Sequence, residues 1–282
     1  MISIIICSRT ADISNELKQN IATTIGCEYE LCVINNSHSE YSIFTAYNEG
    51  VRRATGDILC FMHDDVLFCT KGWGVTIHKL LSQPQVGVVG VGGSHFLPSV
   101  PIYWSDAPFI SDYVVNNDHG GRTNSFKCDY FDESGIAETV VCDGAFMAFN
   151  ASVFSKISFD SNYYTGFHAY DMDICMQIQT LGLKCIVTNH ILLEHAWSDE
   201  DMKTKKGMDK FYPNLKLFTV KWSSQLPIWR GGPDLPEYVK DRINRLCIQA
   251  YDAQKVRRSV AYRLGRTILM PWKAIRQIFS KN

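Results

Sequence analysis

Residues 59–68 read LCFMHDDVLF, an apolar run of strand-forming residues that ends in His63, Asp64 and Asp65. Carboxylates at the end of a buried strand are costly to bring together unless a cation or a substrate meets them. Asp64 and Asp65 can supply oxygen ligands to a divalent cation. His195, in LLEHAW, follows a later apolar run and could bring a nitrogen to the same place. Each signal has an ordinary reading beside it. An Asp-Asp pair opens many turns and caps many helices, and a lone histidine after LLE is more often a surface or cap residue.

These residues need elements that carry them to one edge, and the first hundred residues describe such a scaffold. Ile2 to Cys7 is continuous and β-branched, as in a strand buried on both faces. After Asp12, a plausible cap, Ile13, Leu17, Ile21 and Ile25 recur every four residues as on an amphipathic helix. Glu30 to Asn35 reads as a second strand, and residues 41–55 as a helix stopped by Gly56. Asp57 to Met62 is the third strand, which delivers His63-Asp64-Asp65. Trp73, Ile77, Leu80 and Leu81 mark a helix ended by Pro84, and Val86 to Val91 a fourth strand. Strands alternating with helices predict a doubly wound α/β sheet, in which ligands bind beyond the carboxyl ends of the strands.

Residues 93–138 break this rhythm and read as a long ordered loop, rich in Gly, Pro, Asn, Asp and aromatics. Its Tyr103, Trp104, Phe109 and Tyr113 could stack on sugars or form a small core under the loop. Val140 to Phe149 returns to strand character, Asp171 to Leu181 reads as a short helix, and Lys184–Thr188 and Ile191–Glu194 as short strands. The cluster Gly87, Gly90, Gly92, Gly93 fails GxGxxG at its last position and has no helix behind it, which excludes a Rossmann dehydrogenase.

Composition narrows the class. Hydrophobic residues make up 46% of the 282 and charged residues 20%, ordinary values for a globular chain. A formal net charge of −1 argues against a nucleic-acid binder. Of ten cysteines, Cys7, Cys60, Cys142, Cys175 and Cys185 sit inside apolar runs, and no CxxC occurs, so reduced core thiols in a cytosolic protein are expected. The opening MISIIICSRT lacks the basic region of a signal peptide, and no stretch has the ~20 apolar residues of a membrane span.

The order SIIICSRT, ELCVINNSHSE, AYNEGVRRATGDILCFMHDDV resembles the start of the family 2, GT-A-type glycosyltransferases. Asn48, Gly50, Ala54, Gly56 and Asp57 match the N-x-G-x-x-x-A-x-G-[DE] helix that precedes that family's DxD strand. GFHAYDMDICMQIQTLGLKCIV resembles its E-D-x-D segment, with Asp171 and Asp173 in the acidic positions. HDD followed by WGVTIHKLL and VGVVGVGGS is most similar to a bacterial subgroup of family 2-like enzymes. The resemblance covers residues 1 to about 198.

It implies definite roles. Ser8 and Arg9 would lie near the nucleotide, Asn36 at the base or ribose, and Asn48 on the donor side. Asp65, aligned with the last Asp of DxD, would hold a divalent cation (Mn or Mg) bridging the donor diphosphate, with His195 as a further ligand. Asp64 would face the donor sugar or its ribose, Asp143 and Gly144 would line the donor sugar and acceptor, and Asp171 would be the catalytic base. His63 stands where the pattern has the first acid of DxD, Tyr170 where it has Glu, and Asn35-Asn36 where it has two acids. By itself Asp171 reads as a helix N-cap.

The resulting expectation is a GT-A fold, a mixed and mainly parallel sheet flanked by helices, over residues 1–199. A helical C-terminal extension follows over 200–282. The expected activity is inverting, metal-dependent transfer of a sugar from a nucleotide-sugar donor to a glycan or lipid-linked acceptor in bacterial surface polysaccharide synthesis. A sugar-1-phosphate nucleotidyltransferase would need a glycine-rich phosphate loop, and CSRTADIS has no glycine. A degenerate nucleotide- or glycan-binding module draws on His63 and Tyr170; the retained Asp65, Asp171 and His195 count against it. From Gln254 to Asn282 there are eight Lys or Arg and no Asp or Glu, with Val260, Leu264, Ile268 and Trp272 every four residues. That pattern describes a basic amphipathic helix, either packed on the domain or docked on an anionic membrane surface. The expected location is cytoplasmic, at the inner face of the membrane where the tail docks.

Overall fold

The computed structural model describes residues 1–118, 121–196 and 205–258. The first half runs β1 (Ile2–Ser8), α1 (Asn15–Thr24), β2 (Tyr29–Asn35), α2 (Ile43–Arg53), β3 (Ile58–Met62), β4 (Val66–Phe68), α3 (Trp73–Leu81) and β5 (Val86–Gly90). There follow β6 (Gly92–Ser94), β7 (Phe96–Leu97), β8 (Ile110–Asp118), β9 (Gly121–Lys127), β10 (Ile136–Thr139), β11 (Val141–Cys142) and β12 (Phe146–Asn150). The last part comprises α4 (Tyr170–Thr180), β13 (Lys184–Thr188), β14 (Leu193–His195), α5 (Lys205–Lys221), β15 (Ile228–Trp229) and α6 (Glu237–Arg258).

The expected mixed α/β architecture is present. The main sheet has the order β10-β13-β5-β12-β3-β1-β2. β2, β1 and β3 are mutually parallel, as are β5 and β13, while β12 and β10 run antiparallel to their neighbours. Successive residues of a strand face opposite sides, and the two cores follow that period of two. In β3, Leu59 and Phe61 join the core under α2, α4 and α5, whereas Ile58, Cys60 and Met62 join the core under α1 and α3. Helix α5 contributes Leu215 and Phe218 to the first of these cores, and Trp222, Leu226 and Ile228 follow it there. All ten cysteines are free thiols.

Three details differ from the sequence reading. Ser14, not Asp12, caps α1: its side chain accepts from Leu17 N, while Asp12 is bonded to Lys18 and to the Ile13 amide. Gly56 does not stop α2, which ends at Arg53 with Ala54 already extended. Gly56 is instead a close approach, since a Cβ there would sit 2.7 Å from Met1 O. Residues 93–138 are not one loop. Their strands β6, β8 and β9 belong to a second sheet, β11-β6-β8-β14-β4, with β9 paired to β8. Its strands are short or polar (GGS, GRTNSFK), so no apolar alternation announced them. Within that stretch Trp104 is buried in the main core and Phe109 packs on Trp229, while Tyr113 stacks on Phe126. From residue 259 on, the expected basic tail lies outside the described residues.

Candidate active site

Parallel pairing in register brings the candidate residues together. Ile6 pairs with Met62 and Ser8 with Asn35, so β1, β2 and β3 end at one edge of the sheet. Arg9, Asn36 and His63 are the residues that follow those ends. β12 starts opposite the end of β3, with Phe146 against Met62, which places Asp143-Gly144-Ala145 at the same edge. There His63 N donates to Ala145 O at 3.1 Å. β14 pairs antiparallel with β4, His195 opposite Val66, and Ala196 N donates to Asp65 O at 3.1 Å.

The result is a cluster of three potential ligands. One nitrogen each from His63 and His195 and one oxygen from Asp65 lie within 4.8 Å of one another. His63 Nδ1 is 3.2 Å from His195 Nε2 and 4.0 Å from Asp65 Oδ1, and His195 Nε2 is 3.4 Å from that oxygen. Burial and the neighbouring His195 charge hold the His63 pKa below its ordinary value. Burial also acts to lower His195, but Asp65 and Asp143 outweigh it and the pKa is raised. Burial acts to raise Asp65, yet His195, His63 and Arg9 hold it at about 2, so this carboxylate is ionised throughout the physiological range.

These residues fit a divalent cation. Asp65 Oδ1 is buried without a hydrogen bond of acceptable geometry, although His195 is close. An anionic oxygen out of water that lacks a formed hydrogen bond is costly, and a cation there would offset that cost. Two imidazole nitrogens and one carboxylate suit a transition-metal dication better than magnesium, which takes oxygen ligands. Sequence reasoning placed His195 and Asp65 in this role and took His63 for a departure; the structure adds His63 to the cluster.

Asp64 belongs to a different contact. Arg9 donates to it from its backbone nitrogen at 2.9 Å and from Nη2 at 2.6 Å, and Nη2 also reaches Asp65 Oδ2 at 2.9 Å. Ser8 is buried, its hydroxyl 3.2 Å from that of Thr10. Asn36 clasps the Tyr41 peptide with both ends of its amide, at 3.0 and 2.9 Å, and so shapes the loop from β2 into α2. Asn48 likewise holds the Phe159 backbone at 2.7 and 3.1 Å. Both of these amides are engaged by the protein itself.

Asp171 is not an N-cap. Ala169, in the left-handed region at φ 68°, precedes α4 without a side-chain cap, and Asp171 lies in the first turn, 2% exposed. Its Oδ1 accepts from Met172 N at 2.9 Å, and Tyr103 Oη stands 3.5 Å from Oδ2. Burial and the charge of Asp143 push its pKa up to about 7. A base poised there changes protonation state near neutral pH. Asp173 is structural. Tyr164 Oη at 3.0 Å, Trp222 Nε1 at 2.8 Å, Gln177 Nε2 at 2.7 Å and Lys221 Nζ at 3.0 Å all donate to it.

Sequence reasoning missed Asp112, in β8. It is half-buried, accepts from Ser125 Oγ, and desolvation with the Asp143 charge raises it to about 7. A Cβ on Gly92 would stand 2.6 Å from Asp112 Oδ1, so that glycine makes room for the carboxylate. The signal was an acid inside a strand, and it was invisible while residues 93–138 were read as loop. A cavity of about 580 Å³ opens between α5, α6 and the 101–109 segment, lined by Ile102, Phe109, Phe211, Tyr212, Leu246 and Tyr103, the last of which reaches Asp171. A larger cavity of about 700 Å³, lined by Lys79, Glu138, Lys184 and His190, contains none of the site residues.

A profile described as a glycosyltransferase-like family matches residues 3–221. The chain belongs to the glycosyltransferase-like family. The expected enzyme class is the class of that family, and the match takes in every site residue named above, ending at the lysine that pairs with Asp173. Among solved structures, S. aureus TarS is 12% identical, with 86% of this chain and 42% of that one covered and a TM-score of 0.49. GalNAc-T7 with UDP, GalNAc and Mn2+ is 11% identical over 70% of this chain and 44% of that one, TM-score 0.48. A197 from STIV is 13% identical over 70% of this chain and 86% of that one, TM-score 0.41. The chain thus spans under half the length of TarS and of GalNAc-T7. No curated protein matches it.

Proposed function

We propose that the protein is a GT-A-type, metal-dependent, inverting glycosyltransferase acting on a nucleotide-sugar donor. The buried Asp65 Oδ1, facing two imidazole nitrogens at 3.4 and 4.0 Å without a formed hydrogen bond, carries this reading. His63, Asp65 and His195 would hold the ion, and of the expected Mn and Mg this donor set suits Mn. When bound, it supplies positive charge for the diphosphate that departs.

The chain's own residues do the rest. Asp171 accepts the proton of the acceptor hydroxyl as its oxygen bonds the anomeric carbon and the bond to the diphosphate breaks. A single base on the side opposite the leaving group gives inversion. Burial, and after it the negative charge of Asp143, keeps Asp171 basic enough for this. Ser8, Arg9, Asp64, Asp143 and Gly144 would line the donor side, with Arg9 the one cation among them, while Asn36 and Asn48, whose amides hold the backbone of Tyr41 and Phe159, would shape it. The acceptor is a glycan or lipid-linked glycan of bacterial surface polysaccharide synthesis. The basic tail would bring the enzyme to the inner face of the membrane; among the described residues no helix is long and apolar enough to cross one.

Calorimetric titration with UDP and GDP, with Mn2+ and with chelator, tests the reading. Binding that needs the cation and is lost in Asp65→Ala supports it. Equal affinity with and without chelator overturns it.

A further inference from the structure

His63 and Tyr170 stand at the two positions where the sequence departs from the DxD and E-D-x-D patterns, and they are bonded to each other. His63 Nε2 is 2.7 Å from Tyr170 Oη, while His63 Nδ1 faces His195 and Asp65. A neutral imidazole has one N–H and one lone pair, and the partner of one nitrogen decides what the other presents. We propose that Tyr170 is a positioning residue that holds the His63 proton on Nε2 and so turns the Nδ1 lone pair toward the cation position. The inference rests on the cation-site reading above.

The opposite arrangement, Tyr170 donating to Nε2, would put a proton on Nδ1 and aim it at His195 Nε2, blocking the ion. Tyr47, whose Oη is buried without a hydrogen-bond partner, packs its ring on that of Tyr170. The two rings meet edge to face with centroids 5.5 Å apart. Space for the contact is made by Gly144, where a Cβ would lie 2.2 Å from Tyr170 Oη. A phenol also differs usefully from the Glu of the pattern. A carboxylate at position 170 would add a negative charge beside Asp171, whose pKa burial and the charge of Asp143 already raise.

The test reads metal affinity directly. Tyr170→Phe keeps the ring that packs on Phe44, Tyr47 and Phe159 and removes only the hydroxyl. Mn2+ binding, followed by the loss of the free-ion electron paramagnetic signal, is expected to weaken about 10–100-fold, the usual cost of losing such an outer partner. Gly144→Ala should produce a similar loss by displacing Tyr170. In metal-free wild type, nitrogen-15 NMR should show His63 as the Nε2–H tautomer. Unchanged Mn2+ affinity in Tyr170→Phe, or an Nδ1–H tautomer in the wild type, overturns the role of Tyr170 while leaving the cation site standing. A wild type that binds no Mn2+ overturns both. If Tyr170→Phe unfolds, the wild-type tautomer decides alone.

Discussion

Arg9 closes over Asp64, giving it a backbone N–H at 2.9 Å and a guanidinium N–H at 2.6 Å, and thereby ties the end of β1 to the end of β3. The Arg9 side chain is 71% exposed, so the pair contributes little to stability. Arg9→Ala should lower unfolding free energy by less than about 1 kcal/mol in urea titrations. Nucleoside diphosphate affinity should nevertheless fall several-fold, because the mouth of the site loses the cation nearest its acidic pair. Unchanged affinity would reduce Arg9 to a clamp.

Asp171 makes opposite demands on activity and stability. With its pKa at about 7, transfer should rise with pH through that value as the carboxylate becomes available as base. Stability should run the other way. A carboxyl whose folded pKa is raised contributes stability below its unfolded value, near pH 4, which is lost as pH climbs through about 7. Asp171→Asn should therefore abolish most transfer, by ~10²-fold or more, yet raise stability at pH 8 by on the order of 2 kcal/mol. Paired rate and melting profiles from pH 5 to 9 check both arms, and an Asn variant that transfers at wild-type rate ends the assignment.

Lys221 neutralises a carboxylate that has almost no access to water: the Asp173 side chain is 1% exposed. Removing one partner of such a pair leaves an uncompensated charge. Lys221→Met should cost roughly 3 kcal/mol in chemical denaturation, and the double variant with Asp173→Asn should recover part of that loss. Additive losses would show that the two side chains are not coupled.

The basic tail makes a fourth prediction. Full-length protein should bind vesicles containing phosphatidylserine but not neutral ones, more weakly as salt rises, at ~1 kcal/mol per Lys or Arg near the surface. Truncation after Asp252 should abolish co-sedimentation. Persistent binding after truncation would move the membrane contact elsewhere, and no binding of the full-length chain at low salt would assign the tail to packing.

Much of the site could be read from sequence because it hangs on the buried parallel strands, whose unbroken runs ILCFM and ISIIICS leave one way to lie. Once β1, β2 and β3 are aligned, Arg9, Asn36 and His63-Asp64-Asp65 must share an edge. The second sheet was not legible. Gly92 and Gly93 are there because a side chain would collide with Asp112 or with Val141 O, a reason that lies in residues distant along the chain. The same blindness hid Asp112. It also hid the His63–Tyr170 contact, since each residue taken singly is a mismatch and only the fold shows them bonded.

The four donors on Asp173 also decide where this protein could be cut and rejoined. Two of them, Lys221 and Trp222, come from the end of α5 and just beyond it, and reach back to α4, the helix that begins beside Asp171. Farther along, Leu226 and Ile228 are still inside that core, and β15 is paired to β7. A chimaera that borrows its C-terminal third from a relative would therefore inherit a stranded charge if joined ahead of α5. A seam past Trp229 would keep those bonds intact, but the exchanged segment would still have to supply two contacts to the first two hundred residues, the Arg230 N–H on His95 O and the Asn244 amide oxygen that accepts from Ser99 N.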